Sequence, residues 1–425
     1  MKHNSTHQKR VLVMGINFAP ELTGIGKYTG EMADWLVDSG YDVTVVTSFP
    51  YYPNWKIQQP YTGRFYQKEI SREGKLNVYR CPLYVPETPT GLKRIIHDAS
   101  FLLSAFFMMV YLLFKPGHHQ IFCMAPPFHL GFLGLMYRFF KGGKIVYHIH
   151  DLQIEAARDL KVLKTQSAFK VLFAMESYII DHANYVSTIS SGMLHKVAKK
   201  TNKEVILFPN WVDTKLFYPL LMGRDDLKKQ WGFAPEDKIV LYSGSIGEKQ
   251  GLESLISIAK NLEHHSLIKF VICGNGPYKE RLLKLAGQHQ LKNLIFIPTQ
   301  PLNAFNALLN MTDVHLVLQK KGACDLMMPS KLTAIWSAGG LALVTAEPGT
   351  TLHAVINENK IGVVIDCENE QLLLESIVDC CTTDYSDANI NGRKYAETFL
   401  NKNNILQGLM ERVEEPAFST NILIS

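Results

Sequence analysis

The sequence has little of what defines several classes of protein. Its 425 residues include seven cysteines, an odd number with no C-x-x-C pair, so neither a disulfide framework nor a cysteine zinc site is expected. Charged residues make up 20%, and the formal net charge of +5 is spread thinly, without the clustered basic face that nucleic acid usually needs. The chain does have apolar material, at 47%, which is enough for two independent cores and excludes disorder.

Long hydrophobic runs are also scarce. The amino-terminal stretch MKHNSTHQKR is polar and does not resemble a signal peptide, so a cytoplasmic protein is expected. Residues 99–114 carry no charge over 16 positions, fewer than the roughly 20 needed to cross a bilayer. Three interpretations stay open: a buried helix of an α/β domain, a helix in the membrane interface with Phe101, Phe106 and Phe107 against lipid, or a true membrane span, which the short length disfavours. The following run GFLGLMYRFFKGGK mixes aromatic and cationic residues and favours membrane contact.

Short apolar runs alternate with helix-period segments along nearly the whole chain. The pattern predicts strands at 11–15, 43–47, 78–81, 121–124, 145–149, 185–189, 239–243, 270–273, 295–297, 314–318, 342–345 and 362–365. Such alternation predicts parallel sheets covered by helices on both faces. These strands are too many for one ordinary open sheet. The predicted fold class is therefore α/β, with two doubly wound, Rossmann-like domains facing a cleft.

The domain boundary is expected at the Pro- and Asn-rich stretch FPNWVD. We assign residues 1–210 to a first domain and residues 211–390 to a second one. The remaining residues, 391–425, begin with a helical period that no strand follows.

Ligands of open α/β sheets bind beyond the carboxyl ends of the strands, so the loops after strands are the candidate sites. The first loop, NFAPELTGIGK, places Gly24 and Gly26 ahead of a helix, where free N–H groups and the helix dipole suit an anion. Its spacing fits neither a dinucleotide fingerprint nor a P-loop, and a plain connection remains the alternative. We assign Glu21 and the adjoining Tyr28 to binding a hydroxyl-bearing ligand.

The fifth predicted strand runs into HIHDLQ. If it ends at Ile149, His150 and Asp151 lie at its tip, and His148 shares a side with His150 because strand side chains alternate. Since imidazole titrates near neutrality, acid/base work or binding of a substrate hydroxyl is the favoured role. A structural role and a metal site at the H-x-H pair remain alternatives, the latter without an evident third ligand.

Two glycine turns follow adjacent strands in the second half. In SGSIGEKQG, small residues let the backbone approach a ligand, and Lys249 places a cation at a helix start, a combination suited to a diphosphate. The turn CGNGP repeats the glycine pattern after the next strand. The residues assigned to binding in the two turns are Ser245, Gly247, Lys249, Gly274, Asn275 and Gly276.

A third loop of the second half, DLMMPSKLT, contains a helix start. Free N–H groups near Ser330 suit a phosphate, and Lys331 and Thr333 join them as candidate donor-binding residues. Asp325 lies just ahead, where a carboxylate suits sugar hydroxyls.

Four segments together resemble the GT-B glycosyltransferases of the large retaining family 4. They are PELTGIGKYTGEMADWL, SGSIGEKQGLE, MPSKLTAIWSAGG and, at the domain junction, PNWVDTKLF. The resemblance implies a nucleotide-sugar donor held mainly by the second domain, an acceptor held by the first, and a final helix that crosses back to the first domain. It also implies sugar transfer with retention of configuration and without a bound metal or other cofactor.

Within this family, PYYPNW and CPLYVP resemble members that extend a saccharide on a polyprenyl diphosphate in colanic-acid-like exopolysaccharide synthesis. They imply a lipid-linked acceptor at the inner leaflet of the cytoplasmic membrane and fucose from GDP-fucose as the donor. Three positions depart from the family pattern. Ser245 stands where arginine is usual, with Lys331 or Lys321 as substitutes, and Asp325 and Thr333 stand where two glutamates are usual.

The implied mechanism follows from charge. The departing nucleoside diphosphate gains negative charge, which Lys249 and the amide groups near Gly247 and Ser330 would stabilise. The predicted catalytic residues are His150, Asp151, Lys249 and Asp325.

Three alternatives remain open. A GT-B sugar-nucleotide epimerase would need no lipid acceptor and would release an altered sugar nucleotide. An NAD-dependent dehydrogenase is disfavoured by the glycine spacing. A non-enzymatic two-lobed binding protein is usually exported, which does not suit the polar amino terminus.

Overall fold

The computed structural model describes residues 9–21, 23–159, 166–321 and 329–414, without the side chains of Asp159 and Lys249. The chain divides into two compact units. One comprises Met1–Pro209 with Leu406–Ser425, and the other comprises Asn210–Ile405.

The first unit is built on an eight-stranded sheet in the order β3-β4-β2-β1-β5-β6-β7-β8. The β3–β4 pair is antiparallel and the other pairs are parallel. Its strands are β1 (Arg10–Met14), β2 (Asp42–Ser48), β3 (Gln67–Ser71), β4 (Leu76–Cys81), β5 (Gln120–Ala125), β6 (Lys144–Ile149), β7 (Tyr185–Thr188) and β8 (Val205–Leu207). Its helices are α1 (Gly24–Asp38), α2 (Gly91–Leu113), α3 (Leu130–Lys141), α4 (Gln153–Asp159), α5 (Gln166–His182) and α6 (Ser191–Ala198).

The second unit has a six-stranded parallel sheet in the order β11-β10-β9-β12-β13-β14. Its strands are β9 (Lys238–Ser243), β10 (Ile268–Cys273), β11 (Leu294–Ile297), β12 (Val314–Val317), β13 (Ala342–Thr345) and β14 (Val363–Ile365). Its helices are α7 (Arg224–Gln230), α8 (Glu253–Asn261), α9 (Lys279–His289), α10 (Leu302–Met311), α11 (Ser330–Ser337), α12 (Thr351–Asn359), α13 (Glu370–Thr382) and α14 (Ser386–Phe399). A last helix, α15 (Lys402–Glu414), begins in this unit and ends in the first one.

Both faces of the second sheet are buried, as its nearly continuous apolar strands require. Ile239 and Leu241 of β9 belong to one core cluster, whereas Val240 and Tyr242 belong to another. The predicted α/β class with two parallel-sheet units is thereby confirmed.

All twelve predicted strands are present, but the sequence pattern missed two others. β3 reads QKEIS and is largely solvent-exposed, so it lacks the apolar run on which the prediction depended. β8 is only three residues long. Both lie at the edges of the first sheet, where one side of the backbone is unpaired and burial is incomplete.

The final segment differs from the prediction. Helix α14, which covers the predicted start of the segment at residue 391, packs on α11 of the second unit, and the contacts change unit only after Ile405. The reason is a short backbone bridge between Val212 and Asn401, in which Val212 N–H donates to Leu400 O at 2.8 Å. This bridge holds the chain to the second unit before α15 begins.

Helix α2 is long and apolar enough, by length and composition alone, to cross a membrane. It packs on β2, β4 and α3 through a stripe spaced at three or four residues, which includes Phe101, Ala105 and Met109. Phe101 is fully buried, so its predicted contact with lipid is wrong, because it falls on the core-facing stripe. Phe106 and Phe107 lie off the stripe and are 38% and 59% exposed.

Candidate functional site

The two glycine turns of the second unit lie directly against each other. Gly244 N–H donates to Cys273 O at 2.9 Å, and Ile246 N–H donates to Asn275 O at 2.9 Å. A Cβ atom on Gly274 would lie 1.9 Å from Gly244 O, and one on Gly276 would lie 2.3 Å from Ile246 O. These contacts leave no space for side chains, so the glycines are required by close packing at the carboxyl ends of β9 and β10.

The turn uses some of its own amide groups internally. Gly247 N–H donates to Gln250 Oε1 at 3.1 Å, so the prediction that this amide is available to a phosphate is wrong for the protein without ligand. Ser245 is exposed, and its N–H makes no hydrogen bond within the part of the chain that the structure describes. Its carbonyl oxygen accepts a 2.6 Å hydrogen bond from Tyr242 Oη, which ties the turn to strand β9.

A lysine from the first turn of α11 lies against this glycine turn. Lys331 Nζ lies 4.0 Å from the centre of the Tyr242 ring, and a Cβ on Gly244 would lie 3.2 Å from the same nitrogen. Burial of the ammonium group lowers the pKa of Lys331 to about 7. The amino group of Lys331 therefore lies beside the turn that carries Ser245.

The remaining predicted residues of the second unit fall into four groups. Ser330 begins α11 and is exposed, as the prediction required, and Asn275 is exposed as well. Thr333 is buried and its hydroxyl donates to Ser330 O at 2.8 Å, so its predicted contact with a donor is wrong. Asp325 and the side chain of Lys249 lie outside the described part of the chain. Lys321 Nζ forms a 3.5 Å ion pair with Glu347. Its predicted role as a substitute cation stays a prediction.

The histidine loop of the first unit lies where the sequence predicted. β6 ends at Ile149, and the rings of His148 and His150 are 4.2 Å apart on one side of the strand. Both are buried, and burial lowers the pKa of His150 to about 3. The predicted titration of His150 near neutrality is therefore wrong: the imidazole is neutral at pH 7 and is suited to hydrogen bonding. Asp151 is half-buried next to it.

Glu21 has a structural role that the sequence did not indicate. It is 3% exposed, its Oε1 accepts N–H bonds from Tyr51 and Tyr52 at 2.9 Å each, and its Oε2 accepts one from Asn17 Nδ2 at 2.9 Å. A Cβ on Gly26 would lie 2.5 Å from Glu21 Oε2. Gly26 is thus needed for packing on this carboxylate.

Of three predicted ligand contacts in and beside this loop, two are wrong and one stays a prediction. Glu21 and Tyr28 are buried, with 3% of each residue exposed, so their predicted contact with an acceptor is wrong. Gly24 begins α1 with a φ of 63°, a left-handed conformation that favours glycine, and its proposed anion contact stays a prediction.

A carboxylate that sequence reasoning missed lies at the same edge of the first sheet. Asp98 of α2 accepts a 2.6 Å hydrogen bond from Gln153 Nε2, and Gln153 Oε1 accepts one from Phe128 N–H at 3.1 Å. Gln153 and Phe128 follow β6 and β5, so Asp98 lies over the carboxyl ends of these strands. The only available signal was an acidic residue at the end of the polar first two turns of a helix that is apolar afterwards.

The described residues contain no group of three or more His, Cys, Asp or Glu side chains placed to hold a metal ion. The second unit instead presents a tight glycine turn with a nearby lysine, an arrangement suited to an anion such as a diphosphate. The first unit presents neutral imidazoles and carboxylates at its strand ends, which suit the hydroxyl groups of a sugar. These strand-end loops of the two Rossmann-like units form the candidate functional site.

Comparison with known proteins identifies the class. Residues 23–211 match the family model described as "Glycosyl transferase 4-like domain", and residues 223–395 match "Glycosyl transferases group 1". The chain is 40% identical over 411 residues, covering 94% of this chain and 98% of the relative, to the putative colanic acid biosynthesis glycosyl transferase WcaI of Escherichia coli (strain K12). The chain therefore belongs to the family 4 glycosyltransferases with the GT-B fold.

Solved structures show the same fold at low sequence identity. Sucrose-phosphate synthase from Thermosynechococcus elongatus has a TM-score of 0.73 at 15% identity, covering 95% of this chain and 98% of that one. HepE from Anabaena, solved in complex with UDP-glucose, has a TM-score of 0.66 at 12% identity, covering 95% and 99%.

Proposed function

We propose that this glycosyltransferase moves a sugar from a nucleotide-sugar donor to a saccharide linked to polyprenyl diphosphate, with retention of configuration and without a metal ion. The relative's printed role supports a place in colanic-acid-like exopolysaccharide synthesis. GDP-fucose is the donor we propose first, on the strength of the motifs shared with that branch of the family.

The observation that carries the proposal is the glycine turn with Lys331 against it. In the reaction, the bond between the sugar C1 and the donor phosphate breaks, and a bond from C1 to the acceptor oxygen forms on the same face. The acceptor proton passes to the departing diphosphate. Lys331, Lys249 and the exposed Ser245 amide are proposed to stabilise the charge that the diphosphate gains, because preorganised donors act most strongly where charge develops.

His150 and Asp151 are proposed to hold hydroxyl groups of the transferred sugar. A neutral imidazole can donate one hydrogen bond and accept another, which suits a hydroxyl. Its pKa of about 3 excludes the protonated form as a general acid at neutral pH. No side-chain nucleophile is needed in this scheme.

The proposed acceptor carries a lipid, so we also propose peripheral binding to the inner leaflet of the cytoplasmic membrane. Support comes from the outer face of α2, where Leu103, Phe106 and Phe107 are exposed, and from Phe139 and Phe140 at the end of α3, which are 83% and 61% exposed. Exposed aromatic residues with cationic neighbours are typical of interfacial helices.

A liposome flotation experiment tests membrane binding. The full chain carrying Phe107→Ser should float less than wild type with vesicles of phosphatidylglycerol and phosphatidylethanolamine. Phe399→Ser, which alters a 56% exposed phenylalanine of α14, is the matched control and should float like wild type. Equal flotation of all three proteins would reject the membrane proposal.

The transfer reaction is tested with a panel of GDP- and UDP-sugars against a synthetic farnesyl-diphosphate-linked hexose, with mass detection of products. A mass increase of one sugar, most efficient with GDP-fucose and unaffected by EDTA, is expected, and nuclear magnetic resonance should report the donor's anomeric configuration in the product. Release of an altered sugar nucleotide without acceptor would identify an epimerase instead. Transfer from a UDP-sugar alone would reject the proposed donor.

A further inference from the structure

The first two turns of α2 carry a cation and a carboxylate to the carboxyl edge of the first sheet. Arg94 and Asp98 are four residues apart and so lie on one face of the helix. His97 between them is buried and forms ring contacts with Tyr51 at 4.7 Å and Trp55 at 5.2 Å. Tyr51 and Trp55 belong to the loop after β2, so packing holds this end of the helix against that loop.

Two successive hydrogen bonds hold the Asp98 side chain in one orientation and use only one of its two carboxylate oxygens. Gln153 Nε2 donates to Asp98 Oδ2, and the backbone N–H of Phe128 fixes the Gln153 amide. In the described residues, no hydrogen bond is made to Asp98 Oδ1. A half-buried carboxylate with one oxygen fixed and one open is suited to accept a hydrogen bond from a hydroxyl group.

Arg94 supplies the complementary charge. Its guanidinium lies 5.4 Å from the centre of the Trp55 ring and is exposed, and no carboxylate of the described residues lies within ion-pair distance of it. Leu92, Ile95 and Ile96 around it are exposed and apolar. One short segment therefore presents exposed apolar side chains, a cation and a carboxylate, the three kinds of group that suit the lipid, diphosphate and saccharide of a lipid-linked acceptor.

We infer that this segment of α2 is the acceptor subsite, in which Asp98 accepts a hydrogen bond from an acceptor saccharide hydroxyl and Arg94 binds the acceptor diphosphate. The inference rests on the proposed glycosyl transfer and deepens it. Asp98 takes the place that the sequence assigned to Glu21, whose oxygens are occupied by backbone and Asn17. Gln153 is a positioning residue that acts through Asp98.

The test separates acceptor binding from donor chemistry. With the best donor of the panel, Asp98→Asn should raise the KM for farnesyl-diphosphate-linked hexose about tenfold or more, the loss expected for one hydrogen bond to a charged group. Slow hydrolysis of the donor by water should stay within about twofold of wild type, because it needs no acceptor. Asp38→Asn, at an exposed position of α1, is the matched control.

Arg94→Met gives the second arm. It should abolish most of the preference for the diphosphate-linked hexose over the octyl glycoside of the same hexose, whereas Lys93→Met, one residue away, should preserve the preference. If Asp98→Asn melts well below wild type, Gln153→Ala serves instead and should raise the acceptor KM at unchanged kcat.

Three results overturn the inference. An unchanged acceptor KM in Asp98→Asn would do so, as would equal losses of transfer and donor hydrolysis. An unchanged acceptor preference in Arg94→Met would reject the diphosphate contact. Absence of donor cleavage by wild type with every sugar nucleotide would instead remove the proposed function, and the inference with it.

Discussion

The strand-end edges of the two units are built from different parts of the chain. In the second unit, the edge consists of backbone: two glycine turns in contact, with Lys331 beside them. In the first unit, it consists of side chains, including Glu21, Asp98 and His150, each held by hydrogen bonds or burial. The difference matches what each is proposed to bind, because a diphosphate is well held by fixed amides and cations, whereas sugar hydroxyls need directional acceptors.

The comparison predicts that adding a single methyl group to a glycine turn of the second unit lowers donor use more than any other substitution considered below. Gly274→Ala would place a Cβ 1.9 Å from Gly244 O and force the two turns apart. We expect donor kcat/KM to fall by about a hundredfold or more, in line with loss of a positioned transition-state donor. Steady-state kinetics with a saturating acceptor measures this.

Gly287→Ala is the control for that substitution. Gly287 lies in α9 with nothing within 4 Å of a Cβ, so alanine there should leave activity unchanged and slightly stabilise the helix. Equal activity in the two variants would show that the contact between the glycine turns does not matter for the reaction.

Lys249→Ala tests the lysine of the same turn. We expect turnover to fall by about a hundredfold, because the proposed mechanism loses one cation beside the departing diphosphate. Near-normal kcat in a folded variant would contradict the assignment. Lys260→Ala, at the exposed end of α8, should retain wild-type turnover.

In the first unit, Glu21→Gln should affect stability rather than donor use. The amide cannot accept all three hydrogen bonds that the carboxylate accepts, so unfolding free energy should fall by about 1–3 kcal/mol in urea. Burial raises the pKa of Glu21, so the wild type should lose stability as the pH rises through that raised pKa, and the variant should lack this dependence.

The control is Glu87→Gln, which changes an exposed glutamate of the same unit. It should match wild-type stability at every pH. A Glu21→Gln protein with normal stability but impaired donor binding would contradict the structural role assigned to Glu21.

The smallest expected effect is a pH dependence. Since the pKa of Lys331 is about 7, its charged fraction falls about tenfold between pH 6 and pH 8, and donor kcat/KM should fall by up to that factor. Lys331→Arg keeps its charge and should flatten the profile, whereas Lys321→Arg should leave the slope unchanged. Identical slopes in all three proteins would remove Lys331 from donor binding.

Much of the fold followed from local pattern. The buried strands were predictable because their apolar runs, such as Val11–Met14 within β1, are continuous. The pairing of glycine turns was predictable because β9 and β10 follow each other in sequence. β3 was not, because an exposed edge strand is stabilised by its partner and carries no apolar signature.

The roles of individual side chains were harder to predict from the sequence. The sequence indicated a carboxylate at Glu21 but could not show that three N–H groups, two of them from a loop 30 residues away, already occupy it. It likewise indicated a titrating His150, whereas burial makes the imidazole neutral.

By itself, then, the order of residues determined the two α/β units, their parallel strands and the loops at the strand ends, since periodicity and glycine placement are local properties. Tertiary structure decided which groups in those loops remain available. Hydrogen-bond saturation, desolvation and the approach of Lys331 or Asp98 from distant helices depend on what packs nearby, and no short stretch of sequence contains that information.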